Sequence, residues 1–452
     1  MSTRQVAAFV AGTNYRSIPS DAVAAAKKSI LDLLGVAVAA SRDQTGRMIV
    51  EFVKEAGGRP EAGVIAGGFK TSPYFAALAN GTLGHALDYD DDNESWLGHP
   101  TAPILPAVLA LAQKHRASGK DVLNAYIVGW EVAARVGATM SPRSQEIGWH
   151  NTGVIGVAGA AAAAARILEL DARQTTMALG IGASQASGLR LNFGTNTKPL
   201  HAGLAASNGV RAAQLAQKGF TANESILENP LGYCKVVSGR DYDSKAMEGL
   251  GSSFDIGVSA SLKAYPTNYC SQRSLDSILH IVREHNIGYE DVAQIECRVH
   301  PLLIGVMPYS EPKTALEAKF SLPYCMAAAV LYGEVGIGEF TDEKVTDVKA
   351  QELVGKVKVT PIEGRTWSDY TYHEPPELVS VVLKDGTTYS YDAHINRGHS
   401  LNPMTWNEVV EKFTSCVKGV LPSRDIDCVV TLTGNMESLD DVAELMDVLS
   451  QT

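Results

Sequence analysis

The stretch that decides the fold is Val154–Ala165, VIGVAGAAAAAA, the longest apolar run of the chain, made mostly of alanine. It is twelve residues long and ends at Arg166, whereas a membrane-spanning helix needs about 20 apolar residues. We therefore interpret it as a buried helix. Its small residues, together with Gly153, would let neighbouring helix backbones approach closely. A dinucleotide-binding loop does not fit, because such a loop needs a preceding strand, GxGxxG spacing and an acidic residue about 20 positions later.

Helical spacing continues on both sides of this run, from Ser20 to about Leu250. DAVAAAKKSILDLLGVAVAAS follows Ser20, which is a candidate N-cap, and DVLNAYIVGWEVAARVGA follows Lys120. Long buried helices are expected throughout this region. They predict a large, all-helical domain.

The pattern changes after about Ser261. DVAQIECRVH and KVKVT alternate between apolar and polar residues, which predicts half-buried strands. ELVSVVLKDGTTYSYDA predicts a hairpin with a type I′ turn at Asp385-Gly386. Thr314 and Glu317 predict a capped helix running toward Phe320.

Helical pattern returns after about Asn396, in segments too short to stand as a domain. We expect these segments to pack back onto the first helical unit. The predicted fold class is therefore mostly α with an α+β lid. A discontinuous all-helical domain comprises 1–262 and 396–452, and a smaller inserted α/β lid domain comprises 263–395.

Composition limits the classes of protein and partner. The 452 residues suffice for two or three compact units, and 39 Lys+Arg against 50 Asp+Glu give a net charge of -11. This sign disfavours nucleic acid as a partner. The six cysteines are scattered without CxxC pairs, so reduced thiols are expected. Since no secretory signal or membrane span is evident, the expected location is the cytoplasm.

The densest polar cluster is GHALDYDDDNESWLGHP, residues 84–100. Carboxylates and imidazoles this close can act as general acids and bases or bind a metal. A solvated helix terminus also carries such acidic runs. Here His85 and His99 bracket the acids between two apolar segments, which favours a functional site. A calcium loop does not fit, but a metal site built on Asp90, Asp91, Asp92 and His99 stays an alternative.

Two further segments place basic groups at predicted helix starts. His150 in GWHNTGVIG precedes the alanine-rich helix, whose dipole would keep the imidazole neutral and able to accept a proton. Lys198 and His201 in LNFGTNTKPLHAGLAASNGV lie where an ammonium group and backbone N–H groups could hold a substrate carboxylate. A packed core histidine and a surface lysine are the structural alternatives. Weaker candidates are Lys263, Tyr265, Cys270, Arg273, Lys319 and Tyr324.

Together, GHALDYDD with the downstream His99-Pro100, GWHNTGVIG, TKPLHAGLAASNG, KAYP with Cys270, and EAKFSLPY resemble the MmgE/PrpD family in the family's order. The resemblance covers nearly the whole chain. It implies an all-α domain with an α/β lid, a homodimer, and a cleft for a small di- or tricarboxylate without a metal, nucleotide or redox cofactor. Family activities include dehydration of 2-methylcitrate, decarboxylation of cis-aconitate and epimerisation of iminodisuccinate.

By the same resemblance, the cleft residues of the family map onto Asp88, His99, His150, Lys198, His201 and Tyr324. Asp92 stands where related decarboxylases have threonine. The dehydratase branch reads LDFND and HPSDN where this chain reads LDYDD and HPTAP. The chain thus departs from both lyase branches.

The chemistry assigns roles to these residues. Removing a proton or CO2 beside a carboxylate builds negative charge, which requires fixed cations and a neutral base. Lys198, Lys263 and Arg273 would supply the cations. We expect His150 to accept and donate the proton and His99 to assist it. Asp88 would orient an imidazole or a ligand hydroxyl, and Tyr324 would donate from the lid.

The sequence therefore predicts a cofactor-independent lyase that acts on a small polycarboxylate with loss of water or CO2. The first alternative is an epimerase of an amino-dicarboxylate such as iminodisuccinate. The second is a non-catalytic carboxylate-binding homologue, which the retained imidazoles disfavour.

Overall fold

The computed structural model describes residues 2–366, 369–371 and 377–451. The first part of the chain forms a helical unit. Its helices are α1 (Thr3–Gly12), α2 (Ser20–Ala40), α3 (Gln44–Ala56), α4 (Pro73–Ala86), α5 (Thr101–His115), α6 (Gly119–Ala138), α7 (Arg143–Glu146), α8 (Asn151–Val154), α9 (Gly156–Ile167), α10 (Ala172–Ala183), α11 (Thr197–Gln217), α12 (Tyr233–Ser238) and α13 (Ile256–Ser259). Two short antiparallel pairs accompany them, β1 (Ala62–Gly63) with β2 (Lys70–Thr71) and β3 (Asp92–Asn93) with β4 (Ala260–Ser261).

The alanine-rich run forms α9, which packs against α5, α6 and α11, as its composition predicts. Glycines make this close packing possible. A Cβ atom on Gly159 would lie 2.8 Å from the carbonyl oxygen of Gly129 in α6. One on Gly203 in α11 would lie 2.3 Å from the carbonyl oxygen of Leu78 in α4. Ser20, the expected cap of α2, is instead its first helical residue, because Pro19 takes the capping position.

The second part of the chain contains α14 (Gln272–Glu284), β5 (Val292–Val299), α15 (Pro301–Val306), α16 (Ala315–Ala318), α17 (Leu322–Tyr332), α18 (Asp342–Val345), α19 (Val348–Val354), β6 (Val357–Pro361), β7 (Leu378–Leu383) and β8 (Thr388–Tyr391). The strands form a sheet in the order β6-β5-β7-β8, with β5 parallel to β6 and the other pairs antiparallel. The apolar residues Val292, Ile295, Cys297 and Val299 of β5 are buried. The two strands read from alternation are thus confirmed.

The β7–β8 hairpin is confirmed, but its turn differs from the expected type I′. Leu383 N donates to Thr387 O, so the loop has three residues. Gly386 has a φ of 89°, and Gly386 N donates to Leu383 O. This arrangement is a type I turn followed by a left-handed glycine, the usual solution for a three-residue hairpin.

The C-terminal helices are α20 (Trp406–Val417), α21 (Ser423–Gly434) and α22 (Ala443–Ser450). Their buried residues, Val409 and Leu445 among them, join the apolar cluster of α1–α13. The C-terminal helices therefore pack against the first helical unit. We name α1–α13 with α20–α22 the body, and α14–α19 with β5–β8 the lid, which has its own apolar cluster. The domain boundaries at 262/263 and 395/396 stay predictions. In the described part of the chain, every helix is too short or too polar to cross a lipid bilayer.

Candidate active site

The acidic run after α4 is buried rather than solvated. Asp88, Asp90, Asp91 and Asp92 are each at most 4 % exposed. Asp88 has a left-handed backbone with a φ of 52°, which turns the chain sharply where α4 ends. Because buried carboxylates need compensating partners, the neighbours of each acid indicate its role.

Asp88 holds two lysines. Lys263 Nζ lies 2.5 Å from its Oδ1 and donates to its backbone oxygen at 3.0 Å. Lys198 Nζ, on the first turn of α11, lies 3.0 Å from Asp88 Oδ2. Burial alone would raise the pKa of Asp88, but the two ammonium groups hold it well below its usual value. Asp88 therefore anchors the cations, and the imidazoles have other partners.

Asp90 orients His85. His85 Nδ1 lies 2.8 Å from Asp90 Oδ2, and both side chains are fully buried. Burial opposes ionisation of Asp90, but His85 and His99 lower its pKa. Since an ionised carboxylate can only accept a hydrogen bond, His85 carries its hydrogen on Nδ1 and a lone pair on Nε2. That Nε2 is buried and has no hydrogen-bond partner among the described residues.

His99 is fixed by the main chain. Its Nδ1 lies 2.7 Å from the carbonyl oxygen of Asp91 and 3.3 Å from Asp92 Oδ2. A carbonyl accepts only, so Nδ1 carries the hydrogen and Nε2 is the basic nitrogen. Burial and the nearby Lys263 put the pKa of His99 well below its usual value. The Asp91 carboxyl accepts hydrogen bonds from Thr101 N and Oγ1.

His150 caps α8, next to the alanine-rich α9, as predicted. Its Nδ1 lies 3.0 Å from His201 Nδ1, so one ring donates and the other accepts. Burial and Lys198 lower the pKa of His150 well below its usual value. Burial, His85 and Lys198 lower the pKa of His201 to about 4. The site thus contains neutral imidazoles at neutral pH, the form that can accept a proton.

Two of these imidazoles, His99 and His150, line one small cavity between body and lid. The ring centroids of His85 and His99 are 4.6 Å apart, and those of His99 and His150 are 6.5 Å apart. The cavity volume is about 30 Å³. Its lining is formed by Asp92, Leu97, His99, Gln145, His150, Phe193, Asn268, Tyr269, Cys270, Leu302 and Val306. A larger, open hollow beside α2 and α21 is not lined by any of these imidazoles, so we place the chemistry in the small cavity.

Two aromatic rings that the sequence analysis missed cover Lys198. Its Nζ lies 5.2 Å from the ring centroid of Phe193 and 5.0 Å from that of Phe320. These cation–π contacts help to keep an ammonium group charged in a buried place. Phe193 lies five residues before Lys198 in the sequence. Phe320 lies far from Lys198 along the chain, so no sequence spacing predicts their contact. Lys319 Nζ lies 3.5 Å from the carbonyl oxygen of Ala86, which brings a third ammonium group to the end of α4.

Of the predicted residues, Asp92, His99 and His150 line the cavity. His201 contacts His150, and Lys198 and Lys263 contact Asp88, without being part of the lining.

Two other predicted residues lie in the lid. Tyr324 is buried in the lid, where its hydroxyl donates to the carbonyl oxygen of Glu339 and its ring packs against Phe340. Arg273 Nη2 lies 3.6 Å from Asp392 Oδ1 in the lid. Within the described ranges, neither side chain lines the cavity. Their placement differs from the expected one, because the start of α17 and the start of α14 both face the core of the lid.

A metal ion would find two compact sets of donors among the described residues, His85, His99 and His150, and His85, Asp88, Asp90 and His99. In the second set, Asp88 already binds two lysines and Asp90 already binds His85. One ring nitrogen from each of His85, His99 and His150 lies within 4.8 Å of the others. The alternative set expected from the acidic run is not available, because Thr101 already occupies the Asp91 oxygens. We assign no metal to either set, because the ammonium groups of Lys198 and Lys263, which lower the pKa of these imidazoles, also repel a metal cation.

Two family models match this chain. The model of the MmgE/PrpD N-terminal domain matches residues 4–245, and that of the MmgE/PrpD C-terminal domain matches residues 265–433. Similar curated proteins include the cis-aconitate decarboxylases of Mus musculus, with 28% identity over 99% of this chain and 93% of the relative, and of Homo sapiens, with 26% identity over 99% and 94%. That of Aspergillus terreus is 26% identical over 99% and 96%. The two domain matches together span most of the sequence, and this chain belongs to the MmgE/PrpD family.

Proposed function

We propose that this protein is a cofactor-independent lyase that acts on a small polycarboxylate, with cis-aconitate as the first candidate and loss of CO2 as the first candidate reaction. The observation that carries the proposal is that two neutral imidazoles, His99 and His150, line one cavity, and that the lysines of the Lys198–Asp88–Lys263 ion pairs are near enough to lower the pKa of these imidazoles. The similarity to cis-aconitate decarboxylases supports the choice of substrate.

The reaction needs both kinds of group. In decarboxylation of cis-aconitate, the bond between the methylene carbon and its carboxylate breaks, and CO2 leaves. The electron pair forms a new double bond to the central carbon, and the pair of the old double bond takes up one proton at the far carbon. Negative charge builds beside the remaining carboxylates before that proton arrives. Lys198 and Lys263 would stabilise this charge, since fixed cations in a dry site act strongly.

The proton would come from an imidazole. His150 and His99 have pKa values lowered by burial and by lysines, and the carboxylates of a bound substrate would oppose both effects. Binding therefore protonates an imidazole, which can then donate. One positioned acid or base contributes about 10²- to 10⁴-fold to the rate.

The test is turnover in D2O, followed by proton NMR, with 2-methylcitrate, citrate, cis-aconitate and iminodisuccinate. Loss of CO2 from cis-aconitate, with one deuterium in the product, is the expected result. Loss of water would identify a dehydratase, and isotope exchange without a change of formula would identify an epimerase. Binding without turnover of any acid would support the non-catalytic alternative.

Two controls complete the experiment. His115→Gln changes an exposed histidine away from the site, so turnover should stay at the wild-type level, whereas His150→Gln should abolish most of it. Activity that survives chelation would contradict a metal-dependent mechanism. The homodimer implied by the family resemblance stays a prediction, which sedimentation equilibrium tests.

A further inference from the structure

Gln145 places a side-chain amide in the wall of the cavity. It lies in α7, is 8 % exposed, and lines the cavity together with His150. Its Oε1 atom is buried and accepts no hydrogen bond from any described residue. Buried polar atoms in folded proteins are nearly always hydrogen-bonded, because an unmade bond costs stability. A buried amide oxygen without a partner, in a cavity wall, is therefore suited to a ligand.

Two other buried amides show what a structural role looks like. Asn268 also lines the cavity, but its Oδ1 accepts a hydrogen bond from Cys270 N at 3.1 Å and caps the short turn before α14. Gln113 lies outside the cavity, and its Oε1 accepts from Gly63 N at 2.6 Å. Both amides support the backbone, whereas in the described part of the chain the oxygen of Gln145 supports nothing.

The backbone of Gln145 is fixed relative to His150. Gly148 N donates to the carbonyl oxygen of Gln145 at 3.2 Å. Ser144 Oγ donates to Asn151 Oδ1 at 2.8 Å, which connects α7 to the start of α8. Because both side chains line one cavity of about 30 Å³, a ligand that reaches the imidazole also reaches the amide.

The composition of the lining indicates which ligand group the amide would meet. Among the described residues, the lining contains no lysine or arginine. A carboxylate that enters the cavity is therefore bound there by neutral donors. A half-turn of the Gln145 amide exchanges its oxygen and nitrogen with little change of shape, so the side chain can direct its N–H groups at an anion. Hydrogen bonds to a charged acceptor are stronger than those between neutral groups.

We propose that Gln145 is a substrate-binding residue, which donates a hydrogen bond from Nε2 to a carboxylate of the substrate. The inference rests on the proposed function, because it concerns the contacts of a polycarboxylate in the same site. The hydrogen bond holds one carboxylate beside His150, an imidazole to which the proposed function assigns the proton. Gln145 itself exchanges no proton with the substrate, so its contribution is to binding.

The experiment combines isothermal titration calorimetry with thermal unfolding. The first ligand is tricarballylate, a saturated tricarboxylate that lacks the double bond needed for the proposed decarboxylation. The second is citrate, which differs from it by one hydroxyl group. Gln145→Met removes the amide but keeps the length of the side chain, and Gln145→Leu is a second apolar variant in case the first fails to fold. Gln113→Met is the matched control, because that amide is similarly buried but bonds Gly63.

Both Gln145 variants should bind tricarballylate and citrate at least about tenfold more weakly than the wild type. Their melting temperature should stay the same or rise, because replacing an unpartnered buried amide by an apolar group removes no bond of the fold. Gln113→Met should do the opposite, with unchanged affinity and a melting temperature lower by about 1–3 °C.

Three results would overturn the proposal. These are unchanged affinity of the Gln145 variants for tricarballylate, a loss of affinity confined to citrate, which would assign the amide to a hydroxyl group, and no binding of tricarballylate to the wild type. A melting temperature that falls as far as that of Gln113→Met would also contradict it, since the amide would then support the fold. Failure of the lyase proposal is distinguishable, because it appears as a lack of product in the NMR experiment while the binding results stay as expected.

Discussion

Replacing Lys412 by methionine should test how the body supports the site. Lys412, on α20, has its Nζ 2.6 Å from Asp32 Oδ1 on α2, and both residues are buried. The same ammonium group donates to the carbonyl oxygens of Tyr89, at 2.8 Å, and of Lys263, at 2.9 Å. Lys412 thus connects Tyr89, the residue next to Asp88, with Lys263, the lysine that Asp88 binds.

The expected cost follows from the state of Asp32. Without Lys412, its buried carboxylate has lost its nearest cation and becomes protonated on folding. Starting from the usual pKa of 3.8, this protonation costs up to about 4 kcal/mol at pH 7 and about 1.5 kcal/mol at pH 5. Burial already raises the pKa of Asp32 beside Lys412, so part of this cost is present in the wild type. Lys412→Met should therefore lower the free energy of unfolding by up to about 4 kcal/mol at pH 7, and by clearly less at pH 5.

The assay is urea unfolding followed by circular dichroism at pH 5 and pH 7, together with kcat and KM on the accepted substrate. Lys28→Met is the matched control, because its ammonium group also donates to a carbonyl, that of Met404 at 2.6 Å, but is partly exposed. It should cost less than about 1.5 kcal/mol. The double variant Asp32→Asn/Lys412→Met should recover part of the stability at pH 7. A cost for Lys412→Met below that of Lys28→Met, or one that is equal at both pH values, would refute the reasoning.

Three further predictions concern the site and the lid. His150→Gln should lower kcat/KM by about 10²- to 10⁴-fold with an unchanged circular dichroism spectrum, and wild-type turnover would remove His150 from the mechanism. Lys198→Met should raise KM for a tricarboxylate by at least about tenfold, the factor that corresponds to about 1.4 kcal/mol, and an unchanged KM would show that this ammonium group does not contact substrate. Burial raises the pKa of Glu377 to about 7, and Arg273 opposes this only in part. The unfolded chain loses the Glu377 proton at a lower pH than the folded protein does. The free energy of unfolding should therefore fall by up to about 3 kcal/mol as pH rises from 4.5 to 7. Glu377→Gln should flatten that part of the thermal-stability profile, and an unchanged slope would contradict the assignment.

Local signals in the sequence predicted most elements of the fold. The alanine-rich run predicted a buried helix, because its small side chains let neighbouring helices pack closely. The alternation of apolar and polar residues predicted β5 and β6. The hairpin was predicted but its turn was not. An Asp-Gly pair occurs both in two-residue and in three-residue hairpin loops. Only the register of the two strands distinguishes these loops.

The sequence predicted only part of the site, because some of its contacts join residues that lie far apart along the chain. Motifs indicated His99 and His150, which both line one cavity, and Lys198, whose ammonium group lowers the pKa of His150. Tyr324 was expected there as well, but a motif cannot tell which side of a helix faces the lid core. The Asp32–Lys412 pair joins residues 380 positions apart, so pattern reading missed it. A lone aspartate inside the apolar ILDLLGVAVAA segment was the signal that could have revealed one half of it.

The small volume of the cavity bears on the stereochemistry of the reaction. A space of about 30 Å³ holds one or two water molecules, so a six-carbon acid needs the walls of the cavity to move apart before it fits. If the protein supplies the proton, it comes from a fixed donor such as the imidazole of His99 or His150 in the lining. Deuterium from the medium should then enter a single prochiral position of the product, whereas a solvent-flooded cleft would label both.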